Sequence, residues 1–245
     1  MEILHGGAAV ISDEGYTHDE GTRRYRIPIS KAMGARDIAQ TVSLYDEGLS
    51  PARRNPTAEE VLYVVSGEGV CLIDGHRYGL AAGTAVYMPP ASTCQIESRG
   101  QLAIISVRCP EDDAETVDAV SALPLDTKPL RTVREEDQKA IPTGDRTFKL
   151  LINQEAGADR VTQFIGVIPP GRAAMHHHTY EEAIFILEGE GRVWTESSSA
   201  AFSKGASIYL PRGISHSLEN TGSANIRLLG VFHPSGSPAT RYSDE

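Results

Sequence analysis

The stretch Met-His-His-His-Thr-Tyr-Glu-Glu at 175–182 places three of the chain's eight histidines and two carboxylates within eight positions. Neutral imidazoles and carboxylates are donors that borderline divalent ions accept, so the cluster raises the chemistry of a metal site. Which of its members could share one ion depends on the element that carries them. If 172–178 runs as a strand, Arg172, Ala174, His176 and His178 share one face, and Ala173, Met175 and His177 share the other. Two imidazoles spaced two apart can aim a nitrogen at a common centre, whereas adjacent ones cannot. After the turn at Thr179 and Tyr180, Glu182 shares parity with Ile184 and Ile186; Glu181 does not. Further along, "GASIYLPRGISHSLEN" sets His216 just past a Pro-x-Gly turn. The competing reading is a solvated polar loop, because histidine tracts are common on surfaces.

The elements that must position these groups come as a repeat. "TAEEVLYVVSGEG" at 57–69 is echoed by "TYEEAIFILEGEG" at 179–191, an offset of 122 that persists through Glu60/Glu182, Gly67/Gly189, Gly83/Gly205, Tyr87/Tyr209, Pro89/Pro211 and Glu97/Glu219. Upstream the offset is 123 (Gly34/Gly157, Gln40/Gln163, Gly48/Gly171), and downstream it is 124, where "QLAIISVRCP" meets "NIRLLGVFHP". Loops tolerate such single-residue indels, so the chain is a tandem duplication of roughly 23–110 and 146–234. Each copy strings short β-favouring runs between Gly, Asp-Gly and Pro-Pro punctuation, with no convincing helical stripe. That pattern predicts two all-β units, each a small closed or nearly closed barrel. The proline-bearing segment between them has no evident counterpart in either copy and reads as a connector over 111–145, with a short helix expected around 113–121.

With strand parity and the repeat in hand, the residues resemble a known superfamily. Gly-x5-Pro-x-Gly-x2-His-x3-Asn is met by Gly205, Pro211, Gly213, His216 and Asn220, and His-x-His-x3-Glu-x6-Gly by His176, His178, Glu182 and Gly189. These are the two motifs of the cupins, and their duplication is similar to a bicupin over nearly all of 23–234. The one departure is Gly171, which precedes His176 by four intervening residues rather than the usual five. The resemblance implies two tandem double-stranded β-helix (jelly-roll) barrels, 1–110 and 146–245. It also implies a divalent transition metal in the C-terminal barrel on His176, His178, Glu182 and His216. Glu182 would also be the catalytic group. Manganese or iron heads the list of metals, with nickel, cobalt, copper and zinc also compatible with three nitrogens and one oxygen. His177 and Glu181 have the wrong parity to join. Among neighbours, Arg172, Tyr209 and Ile184 are candidates to line the substrate pocket.

At the 122 offset, the N-terminal copy puts Arg54 where the rear copy has His176, Pro56 for His178, Glu60 for Glu182 and Cys94 for His216. Proline and a permanently charged guanidinium cannot ligate, so the front barrel is expected to be metal-free, with Glu60 either paired with Arg54 or facing solvent.

Composition narrows the rest. A formal charge of −10 and a pI near 5.3 leave no basic footprint for nucleic acid or an anionic membrane. The start lacks a cationic leader, and three cysteines in no Cys-x-x-Cys spacing fit neither a disulfide framework nor a thiolate site, so a cytoplasmic chain is expected. No Gly-x-Ser-x-Gly elbow is present. The expectation is a metal-dependent dioxygenase-type oxidoreductase on a small chelating substrate, enolisable, anionic or phenolic, whose activity falls as pH drops through the imidazole range. Redox-neutral isomerase, lyase or hydrolase chemistry and a non-enzymatic binding role are the alternatives. Against ureidoglycine aminohydrolase stands its different ligand order, and oxalate decarboxylases usually load both barrels. A homodimer is the expected assembly.

Overall fold

The computed structural model describes residues 1–110, 115–117 and 130–240. Each half is a pair of facing antiparallel sheets. In the rear half the large sheet runs in the order Glu2–Ile3, Ala9–Ile11, Ser207–Leu210, Glu181–Glu188, Ile226–His233, Thr162–Ile168, Arg146–Ile152, Ile141–Thr143, and a four-stranded sheet built on Glu190–Thr195 and His216–Asn220 closes over it. The front half matches it, with a seven-stranded sheet centred on Glu59–Ser66 and Leu102–Cys109 facing a smaller one built on Glu68–Ile73 and Thr93–Ser98. No helix among the described residues is long and apolar enough to cross a membrane.

The near-continuous apolar runs that obscure a two-residue alternation have a packing cause. The two large sheets are covered on both faces. Along Glu181–Glu188, Ile184 and Ile186 point into the rear barrel, while Ala183, Phe185 and Leu187 join Tyr63, Tyr87 and Val61 of the front half in a core between the barrels. A strand buried on both sides has no reason to alternate. Each fully buried Leu, Ile or Phe here contributes on the order of 1.5–3 kcal/mol.

Two brackets lock the halves together, and both come from the position just before the retained glutamate. The Glu181 carboxylate accepts the backbone N–H groups of Arg36 (3.0 Å) and Asp37 (2.9 Å) from the opposite half and the Tyr209 hydroxyl (2.5 Å). Glu59 accepts the Arg160 N–H at 3.2 Å in the mirrored arrangement. Strand exchange adds to this. Ala9–Ile11 pairs with Ser207–Leu210 of the rear sheet, and Thr132–Arg134 pairs with Thr84–Met88 of the front sheet, with Ile11 facing Ser207 and Arg134 facing Thr84. The repeat therefore starts earlier than sequence similarity shows: part of the stretch taken as a connector is the rear copy's first strand, donated to the front. Most of the helix expected around 113–121 lies outside the described residues, but Glu115–Val117 within it form a strand paired with Ala52–Arg54.

The Gly-Glu-Gly turn recurs for steric reasons. Gly189 sits at φ +91°, and a Cβ on Gly191 would lie 2.0 Å from the Glu219 carbonyl oxygen, closer than any side chain allows.

Candidate metal centre

His176 and His216 face each other as an antiparallel bridge, each backbone N–H donating to the other's carbonyl (3.0 and 2.8 Å). Directly opposed residues put side chains on one face, so the two rings meet at a centroid separation of 4.7 Å. His178, two residues on, is held where its carbonyl accepts the Gly213 N–H at 2.7 Å, and its ring lies 4.9 Å from His176 and 5.2 Å from His216. One nitrogen from each of the three lies within 4.8 Å of the others, and all three rings are buried. The strand expected over 172–178 ends at Arg172, and His176 meets His216 through an isolated bridge; with the Pro-x-Gly turn, this extended segment brings distant residues onto one centre.

The outer nitrogens orient the inner ones. The Nδ1 atoms of His176 and His216 lie 3.0 and 2.8 Å from the carbonyls of Ala174 and Ile214. A proton on each Nδ1 donates to that carbonyl and leaves the Nε2 lone pair for a ligand, the arrangement a metal-binding imidazole requires. His178 stacks on Tyr180 at 4.7 Å, and Tyr180 in turn packs on Phe232 at 4.2 Å and donates to the Ser237 carbonyl at 3.1 Å.

Glu182 lines the same cavity, its Oε2 4.0 Å from His178 Nε2, although it stands outside the tight histidine trio. Burial pushes its carboxyl up to about 8. Burial, then the neighbouring His176, pushes the His216 imidazole down to about 4. Burial thus disfavours charge on both Glu182 and His216, and a divalent cation is the species that would let the Glu182 carboxyl ionise favourably beside neutral imidazole donors. Three converging nitrogens, an adjacent carboxyl and no thiolate fit a borderline transition ion.

The cavity, about 80 Å³, is walled by Phe148, Phe164, Leu218, Leu228 and Phe232, with Arg146 as the cation among the described lining residues. Arg146 is 9% exposed and commits one Nη to the Leu218 carbonyl at 2.8 Å.

The other sequence candidates fall elsewhere. His177 is half-buried and outside the trio. Arg172 has the ligands' parity but sits at an exposed strand end, its guanidinium 4.2 Å over the Trp194 ring, so it does not reach the pocket. Tyr209 faces the other barrel and donates to Glu181. Ile184 points inward but is buried in the rear core away from the cavity lining. Parity alone cannot say how deep along a strand a residue lies. Arg146, Phe148, Phe164 and Tyr180 were missed. Only Tyr180 carried a usable signal, an aromatic continuing the His176, His178 parity.

In the front barrel Arg54 is exposed and its Nε donates to the Ala91 carbonyl at 3.1 Å, so the expected Arg54–Glu60 pair does not form. Arg53 takes that role. Its two Nη groups grip both Glu60 oxygens, Nη2 to Oε1 at 2.9 Å, and Asn55 Nδ2 donates to Oε2 at 2.6 Å. Arg53 faces Cys94 across the sheet as His176 faces His216. The offset is therefore 123 through Arg53 and Asn55 and becomes 122 only by Glu60. The inserted residue sits in the loop after Asn55 rather than upstream. Cys94 Sγ in turn lies 3.6 Å from Cys71 Sγ, both thiols buried.

Comparison with known proteins agrees with this architecture. The cupin domain family model matches residues 42–107 and 164–232. An uncharacterized protein of Methanocaldococcus jannaschii is 33% identical over 70 residues, 28% of this chain and 56% of the relative, so the chain spans little more than half the length of that relative. The oxalate-binding protein of Thermotoga maritima is 30% identical over 92 residues, 36% of this chain and 76% of the relative. Among solved structures, variants of Bacillus subtilis oxalate decarboxylase superpose with a TM-score of 0.77 at 14% identity, covering 93% of this chain and 78% of theirs, which speaks for the fold alone. Matched in both halves by the family model, and carrying two facing-sheet barrels of that topology, the chain belongs to the cupin family as a bicupin.

Proposed function

We propose that the C-terminal barrel holds one divalent transition ion on the Nε2 atoms of His176, His178 and His216 with Glu182 as the fourth donor, and that the protein is an oxygenase of a small chelating carboxylate. The observation that carries this reading is the convergence of three buried imidazoles within 4.8 Å at the base of an apolar cavity. An ion held there would act as a Lewis acid toward the oxygens of a chelating substrate and supply the redox chemistry an oxygenase needs.

The chain's own residues do the rest. Phe148, Phe164, Leu218, Leu228 and Phe232 exclude water, which strengthens every charge interaction inside. Arg146 offers the positive charge that orients an anionic substrate. At about 80 Å³ the rear cavity is smaller than the front one, at about 220 Å³, and suits a small acid. Besides the four proposed ligands, no carboxyl or imidazole lines the cavity among the described residues. A redox-neutral isomerisation or decarboxylation must deliver a proton to carbon, and such a wall has no dedicated acid to do it. The two readings separate on oxygen, which an oxygenase consumes in proportion to substrate and a redox-neutral reaction does not.

The test is oxygen uptake by iron-, manganese-, nickel- or copper-loaded protein across a panel of oxalate, 2-oxo acids and 2-hydroxy acids. Turnover that proceeds equally without oxygen would replace the oxygenase reading by the redox-neutral one. A second reading, capture of a small dicarboxylate without turnover, is favoured by the similarity to the oxalate-binding protein of Thermotoga maritima. It predicts calorimetric binding of oxalate with no oxygen uptake and no change in the ligand.

A further inference from the structure

The front barrel has its own cavity at the matching place, of about 220 Å³, whose lining includes Arg23, Tyr25, Thr41, Arg53, Glu60 and Arg108, with the carboxylates of Glu20 and Glu115 also on its wall. Rear-barrel residues at the same strand positions are Arg146, Phe148, Phe164, His176, Glu182 and Phe232. Three aromatic wall positions have become a phenol, a hydroxyl and a guanidinium.

The floor of this cavity is internally satisfied. Glu60 is gripped by both Arg53 Nη groups and by Asn55, so that pair is close to neutral as a unit. The other two guanidinium groups are not. Arg23 donates its Nε to Ser43 Oγ at 3.1 Å and stacks 4.2 Å over the Tyr25 ring, and its acidic neighbour Glu20 is 3.5 Å away with more than a third of its side chain in water, where the attraction is screened. Arg108 is half-buried, and among the described residues its side chain donates no hydrogen bond. A guanidinium has five N–H donors in a planar fork; Arg108 contributes its charge to the Glu60 carboxylate, and its water-accessible donors remain open to an incoming acceptor. Phe232 shows that an apolar ring fits this strand position, so neither the fold nor the barrel's closure requires a cation there.

We propose that the front cavity is a second ligand site, which binds a small organic carboxylate between the guanidinium groups of Arg108 and Arg23, above the Arg53–Glu60 pair. The planar forks match a carboxylate, with Thr41 Oγ1 and the Tyr25 ring bounding the space beside it. Glu60 at the floor and the chain's formal charge of −10 disfavour a compact multivalent anion such as phosphate. At about 220 Å³ the cavity is larger than the rear one, at about 80 Å³, and has room for a dicarboxylate of a few carbons. The site does not depend on the rear metal.

Succinate is the probe, with succinamide and inorganic phosphate as controls. Titration calorimetry on the full-length chain freed of metal by a chelator, so that the rear cavity offers no ion for a dicarboxylate to chelate, is expected to show one succinate per chain, no succinamide binding and weaker phosphate binding. Arg108→Met should weaken succinate about tenfold or more and Arg108→Lys less, while Arg146→Met, in the rear cavity, should leave the affinity unchanged. The side-chain Nε–H resonances of Arg23 and Arg108 in labelled wild-type protein give a readout that needs no destabilised variant. They should move on adding succinate and stay put with succinamide. Stationary resonances, equal affinity in Arg108→Met, loss caused by Arg146→Met, or phosphate binding tighter than succinate would each overturn the proposal.

Discussion

The two barrels hold a glutamate at the same position of the same strand, and the protein treats the two carboxyls in opposite ways. Glu182, buried beside imidazoles, is pushed up to about 8 by loss of water. Glu60 suffers the same burial, but the Arg53 guanidinium outweighs it, helped by Arg108 and Asn55, and holds the carboxyl down to about 2. One residue across the sheet decides the difference: His176 in the rear, Arg53 in front. The walls follow the floors. A neutral donor cluster suits a dry aromatic wall that strengthens its attraction for a cation, whereas an ionic floor sits in a larger polar cavity. The backbone frame is common, so what distinguishes a candidate metal centre from a candidate anion pocket is a handful of inward side chains.

Substituting the rear floor should have the largest effect. His176→Ala and His216→Ala are expected to abolish metal retention by elemental analysis, from near one equivalent per chain to background, with the fold kept by circular dichroism. Retention in both would detach the histidine trio from any metal role. In front, Arg53→Met strands Glu60 in a 2%-exposed site, and we expect a loss of about 3–5 kcal/mol in denaturant unfolding. The pH dependence separates the barrels further. Because the folded pKa of Glu60 lies below its unfolded value near 4.5, the pair's stabilisation is present above about pH 4.5 and is lost as pH falls towards about 2. Glu60→Gln should flatten that acid limb of the stability curve; an unchanged limb would show that other carboxylates govern it. Tyr209→Phe removes one of three donors to Glu181 between the barrels and should cost about 1–3 kcal/mol without altering metal content. The smallest effect is expected for His177→Ala, which should leave metal content and stability within about 0.5 kcal/mol of the parent. Metal loss there equal to that of His176→Ala would refute the alternation argument.

Much of the rear cluster was legible because its information is local. His176 and His178 are two apart on an extended segment, and Glu182 and His216 stand at fixed motif distances. The front counterpart was misread by one residue, Arg54 for Arg53. An ungapped comparison pushes the insertion upstream, whereas the fold places it in the Asn55 to Ala58 loop. A loop absorbs an extra residue, but a strand cannot, since a one-residue slip turns every side chain to the opposite face. The substrate wall was not legible. Arg146, Phe148, Phe164 and Phe232 come from three strands whose inward positions are known only once the sheet closes, and Tyr209 was placed in the pocket although its face belongs to the neighbouring barrel.

The sequence by itself determined the duplication, the all-β character and the parity of the histidine cluster, because repeats, turn residues and alternation are written along the chain at short range. Only the tertiary structure decided which arginine meets Glu60, that Glu181 and Glu59 tie the halves together, and that each half lends its first strand to the other. Those outcomes depend on which faces of two sheets are buried against each other, a property of pairs of distant strands that no local pattern encodes.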